Sequence, residues 1–178
     1  MNVVIRKTRG FALIDLIFVC GIIGVLATVA LPRMLLARQA AGAVSAISSM
    51  RVIASSQLTY ALTCGSGFYA PSLTMLGTAP AGSREGFISP DLGSADTFTK
   101  SGYVIQLTAA PFAGSPASCN GLGPGETGQG YRAAADPVEV GNIRYFGINS
   151  YGQIYEDATT LFAVMPELGE PPAGHPLR

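Results

Sequence analysis

One carboxylate sits where carboxylates are costly. Asp15 is the only charged residue among the 21 from Phe11 to Leu31, which are otherwise apolar or small. A carboxylate in hydrocarbon costs a few kcal/mol on insertion scales and marks a function by default. The three cysteines divide by surroundings. Cys20 lies within the apolar run and reads as a small apolar residue. Cys64 and Cys119 lie in the polar remainder. Two cysteines beyond a membrane segment point to an oxidising compartment and to one disulfide, Cys64–Cys119. Asp136, Glu139, Glu156 and Asp157 carry oxygens that could serve Ca²⁺, but their spacing follows no calcium motif, and solvated carboxylates are expected. The single histidine, His175, stands between Gly174 and Pro176 with no evident partner. The glycine-rich stretch from Gly121 to Gly130 is interrupted by Pro124, lacks a strand-to-helix setting, and reads as a surface loop rather than a phosphate cradle. There is no Cys-x-x-Cys pair and no nucleophile elbow. No catalytic residue, cofactor or dedicated metal site is therefore expected.

The element that must position Asp15 is a helix. Twenty-one residues at 1.5 Å each span roughly 31 Å, about one hydrocarbon core, and in lipid the backbone must satisfy its own hydrogen bonds. Charge is unevenly placed along a chain whose net charge is zero. Residues 1–51 carry six basic side chains (Arg6, Lys7, Arg9, Arg33, Arg38, Arg51) against Asp15, and the other 127 carry five basic against ten acidic. Such a basic excess around an apolar run fits membrane topology, with a cytoplasmic N-terminus, better than a nucleic-acid face. An ordinary secretory signal, cut after Thr28-Val29-Ala30, is the competing reading. Its apolar core would be longer than usual and would hold a carboxylate without evident use.

The run Gly10-Phe11-Ala12-Leu13-Ile14-Asp15, continuing through Gly21-Ile22-Ile23-Gly24 to Leu31-Pro32, resembles the N-terminus of the type IV pilin superfamily. That superfamily holds type IV pilins and the pseudopilins of type II secretion and competence. The likeness covers about 30 residues. Two positions depart from the pattern: Ala12 stands for a hydroxyl residue, and Asp15 for the usual glutamate. The resemblance implies a leader of residues 1–10, cleavage between Gly10 and Phe11, N-methylation of Phe11, and assembly through Asp15 and the Pro32-containing helix. The implied partners are copies of the same chain in a helical filament, a prepilin peptidase and N-methyltransferase, inner-membrane assembly machinery, and lipid. The implied location is the bacterial inner membrane, and then a periplasmic pseudopilus or an extracellular pilus. The similarity also raises the calcium reading slightly, because some major pseudopilins bind calcium in a C-terminal loop.

Helical spacing continues past the membrane run. Ala40, Ala43, Val44, Ile47, Met50, Ala54, Leu58 and Ala61 recur on one side, while Ser45, Ser48, Arg51, Ser55 and Gln57 mark polar angles. One helix from Phe11 to Leu62 is predicted, with a kink or local unwinding at Pro32. Residues 64–130 hold 13 Gly and 6 Pro, a loop-rich composition. Strands are predicted at Gly102–Thr108, Tyr131–Ala135, Ile143–Ile148 and Gln153–Tyr155, the last two joined by a turn at Asn149–Gly152. The expected fold is α+β: a long helix under a small antiparallel sheet. The expected divisions are residues 1–10 as leader, 11–32 as membrane and assembly half-helix, 33–165 as globular domain and 166–178 as flexible tail. A filament subunit is the leading function. A membrane-anchored periplasmic binding module and a secreted soluble domain are the alternatives.

Overall fold

The computed structural model describes residues 13–177. Helix α1 runs Leu13–Thr63 and a short α2 runs Leu73–Gly77. Six strands follow: β1 (Thr97–Lys100), β2 (Tyr103–Thr108), β3 (Arg132–Pro137), β4 (Tyr145–Asn149), β5 (Ile154–Asp157) and β6 (His175–Pro176). They form one antiparallel sheet in chain order. The chain divides into two compact units, one ending at Arg38 and one beginning at Gln39.

In the first unit every described residue is exposed except Ala27, which is half-buried. The helix continues unbroken through Pro32, so the local unwinding expected there is not present. Proline removes one N–H, but the flanking backbone bonds suffice to carry the helix across it.

In the second unit α1 lies on one face of the sheet. Ala43, Ala46, Met50, Ile53 and Tyr60 share a core with Tyr103, Ile105, Ala133, Phe146 and Ile148. Alternation drives this: along β2, Tyr103, Ile105 and Leu107 are buried and the residues between them half-buried. The approach is close where side chains are small. A Cβ at Gly42 would stand 2.6 Å from the Ser101 carbonyl oxygen. Aromatic rings pack against one another, with Tyr60 edge-on to Phe87 at 5.2 Å, Tyr69 tilted on Tyr131 at 5.1 Å and Tyr103 on Phe146 at 5.8 Å.

Three sequence expectations change. The buried stripe of α1 is rotated from the predicted one: Val44 and Leu58 are exposed, and Gln57 is fully buried. Its amide donates to the Ala70 carbonyl and accepts from the Ala70 N–H, both at 2.9 Å, so it closes backbone bonds of the loop after the helix. The Gly121–Gly130 loop is not all surface, because Thr127 is buried and Gly128 bridges to Tyr69 and Pro111. Residues 166–177, expected as a flexible tail, are bonded to the sheet. β6 pairs with β5, the Leu177 N–H bonds the Ile154 carbonyl, and Asn149 donates to the carbonyls of Pro166 and Gly169. Pro/Gly composition suggested looseness, but side-chain donors from the sheet hold this backbone. Leu161 and Met165 join Tyr155 in a second small core. Gly147 makes room for it: a Cβ there would meet the Met165 side chain at 2.6 Å.

Candidate functional site

The residues singled out by the sequence fall into two groups. Gly10 and Phe11 lie outside the described residues. Asp15 sits in the first turn of α1 and is exposed. Around and beyond it, fifteen large apolar side chains between Leu13 and Leu36 are exposed, among them Phe18 at 69% and Leu26 at 64%. Burying a side chain of this size is worth about 1.5–3 kcal/mol, so the surface left open amounts to tens of kcal/mol. Thr28 does not interrupt it, because its hydroxyl donates back to the Val25 carbonyl at 2.7 Å. The helix has an 18-residue window of mean hydropathy 2.5 with 0% buried, long and apolar enough to cross a membrane. Cys20 is an exposed thiol on the same surface, and Pro32 lies near its end.

The second unit closes on itself. Cys64 and Cys119 form the disulfide, and the Cys119 N–H also reaches the Cys64 carbonyl at 3.3 Å. Asn120 reinforces the junction. Its amide donates to the Met75 carbonyl at 2.7 Å, and its carbonyl accepts from the hydroxyls of Ser118 and Tyr60. The bond therefore ties the end of α1 to the loop-rich segment and to α2.

The four calcium candidates do not converge. Glu156 is held bidentately by Arg144 at 2.5 and 3.1 Å. Those hydrogen bonds hold its carboxyl below the usual range and push the guanidinium up. Asp157 accepts from the backbone N–H groups of Ala158 and Thr159. Asp136 accepts from the Thr160 hydroxyl at 2.7 Å, and burial pushes its carboxyl up. Glu139 is exposed on the β3–β4 loop. Among the described residues no three His, Cys, Asp or Glu side chains gather as metal ligands. His175 is exposed and pairs by backbone with Glu156.

No protein-family model, curated protein or solved structure matches the chain. What the molecule itself presents is an apolar helical surface with one carboxylate, continuous through α1 with a unit that has its own buried core and a disulfide. Sequence reasoning missed the roles of Gln57, Asn120 and Asn149. Each is a buried or half-buried amide bonded to backbone distant in sequence, for which side-chain type gives no local signal.

Proposed function

We propose that this chain is a structural subunit of a bacterial envelope filament, a type IV pilus or a type II secretion pseudopilus. It polymerises through its N-terminal helix after leader cleavage between Gly10 and Phe11. The observation that carries the reading is the contrast within α1: from Leu13 to Arg38 an apolar surface with one carboxylate is left open, whereas from Gly42 onward one face is buried in a finished core. Lipid satisfies the open surface before assembly, and sister helices satisfy it afterwards. Arg6, Lys7 and Arg9 keep the N-terminus cytoplasmic in the inner membrane.

Asp15 supplies the register. Cleavage frees the Phe11 amine four residues before it, so two opposite charges enter the apolar layer. In a staggered bundle the Asp15 of one subunit meets the Phe11 ammonium of the next, which offsets part of the desolvation of both. The chain performs no catalysis in this role. Its chemistry partners are a prepilin peptidase and an N-methyltransferase acting on Gly10–Phe11.

The mass of the mature N-terminus tests the reading. A methylated Phe11 and a mature chain of 168 of the 178 residues are expected. An intact Met1 would assign a simple anchor, and a chain starting at Leu31 would assign a secreted domain. Electron microscopy of sheared surface filaments separates pilus from pseudopilus. Asp15→Ala should accumulate as processed, unassembled protein in the inner membrane, while Asp15→Glu should assemble. Normal filament abundance from Asp15→Ala would sink the role given to this carboxylate.

A further inference from the structure

The globular unit displays a knob and a groove at opposite ends of the same strands. The knob is the loop between β3 and β4. Val138, Val140 and Ile143 are exposed there, Val140 completely (103%). The Val138 N–H bonds the Gly102 carbonyl at 2.9 Å and the Asn142 N–H bonds the Glu139 carbonyl. The Asn142 side chain donates to the Tyr103 hydroxyl and accepts from the Arg144 N–H. Gly141, at φ +93°, makes the reversal. Three aliphatic side chains are thus held out in water by a turn bonded at Val138 and Asn142, and the only charge among residues 138–143 is Glu139.

The groove lies at the other end of β4, beside the β4–β5 turn. Its volume is 390 Å³, and Leu58, Tyr69, Tyr131, Ile148 and Tyr151 give it an apolar and aromatic lining. Its one charged residue is Arg51, exposed and making no ion pair with another described residue. The register fixes the separation. Arg132 of β3 faces Asn149 of β4 at the groove end, and the chain crosses from Pro137 to Tyr145 at the knob end.

We propose that the β3–β4 loop of one copy seats in this groove of the next, with Val140 in the apolar lining and Glu139 against Arg51. Charge chooses the occupant: a lone acid on an aliphatic knob answers a lone base in an apolar groove. Knob and groove sit at opposite ends of β3 and β4, so copies stacked in one direction make a heterologous contact. It leaves a free knob at one end and a free groove at the other, which is the geometry of an open filament rather than a closed dimer. The inference rests on the filament reading and adds to it the surface by which globular units stack.

The test uses the full chain in cells. Val140→Cys and Leu58→Cys are both exposed positions, so neither variant should harm folding. Treated with a short bis-maleimide in a Cys20→Ala background, the double variant should give a ladder of covalent oligomers, and neither single variant should. Arg51→Glu and Glu139→Arg should each lower sheared filament yield about fivefold, as loss of roughly 1 kcal/mol per contact implies, and the charge-swapped double variant should recover it. Filaments without a ladder would overturn this interface and leave the filament reading standing. A ladder without filaments would do the reverse, and absence of both would remove both. A photo-cross-linker at position 140 that labels lipid, with no ladder, would assign the loop to the membrane surface and overturn the proposal.

Discussion

The two parts of α1 belong to one continuous helix and live in opposite surroundings. Before Gln39 the helix is apolar on every side, and every side is exposed. After it, apolar residues thin out and one face is covered: Ala43, Met50, Ile53 and Tyr60 are fully buried, while Arg51, Ser55 and Thr59 stay in water together with Val44, Leu58 and Leu62. A helix that is apolar all round needs an apolar medium, and one that is apolar on a stripe needs a sheet to lie on. Hydrophobicity alone thus fails to say whether a residue is core. In this chain the more apolar part of the helix is the part its own fold leaves open.

The largest expected effect on one region alone comes from the disulfide. Cys64 and Cys119 are 55 residues apart, and closing a loop of that length stabilises by about 4 kcal/mol on the chain-entropy model, an upper figure. Cys64→Ser with Cys119→Ser should lower the urea midpoint of the globular unit accordingly, while the membrane insertion that the proposed function gives to Leu13–Arg38 should be unchanged. Equal loss of insertion would break the separation drawn between the regions. A smaller effect comes from paired truncations. Ile53→Ala removes a buried side chain and should cost about 3 kcal/mol of globular stability. Ile22→Ala, at an exposed site, should cost none of it, and under the proposed filament function its effect should surface only as reduced filament yield. Denaturation in detergent, followed by near-ultraviolet dichroism of the tyrosines, measures both.

The parts of the fold legible in the sequence are those set by local pattern. The run Phe11–Leu31, whose only charge is Asp15, predicts the first part of α1, which is described from Leu13. Alternation at Tyr103, Ile105 and Leu107 gives β2. Asn149–Gly152 gives the β4–β5 turn, where Gly152 has φ +75° and its N–H bonds the Asn149 carbonyl at 2.9 Å. The missed elements are set from a distance. β1 is Thr-Phe-Thr-Lys and mostly exposed; it is a strand because its backbone pairs with β2. β6 is two residues, one a proline, and exists because the β5 edge is there to be paired. Gln57 was legible only as polar, yet it is core because the Ala70 peptide needs both a donor and an acceptor. Gln57→Ala should therefore cost about 2 kcal/mol by leaving buried backbone groups unpaired. Gln57→Glu, which keeps the acceptor and loses the donor, should be no better. An alanine variant as stable as the parent would mean that water replaces the amide.

The smallest effect distinguishes two carboxylates. Asp15, in the open part of the helix, has no hydrogen bond or ion pair with another described residue, whereas Glu156 is clasped by Arg144 within its own sheet. The Arg144 hydrogen bonds, with smaller help from the charges of Arg144 and His175, lower the Glu156 carboxyl from its ordinary 4.5. A lowered carboxyl binds fewer protons folded than unfolded near that pH, so its stabilisation is present above 4.5 and is lost as pH falls through the folded value. Arg144 is 42% exposed, and water screens the pair to about 1 kcal/mol at neutral pH. Glu156→Gln should therefore lie about that much below the parent at pH 7, and the two stability curves should converge as the pH drops below 4.5. Asp136 works in the opposite sense, because burial raises its carboxyl and protonation on acidification relieves a cost. Both proteins carry Asp136, so subtracting one curve from the other isolates Glu156. A difference that persists unchanged to pH 3 would mean that Glu156 contributes through packing and not through its charge.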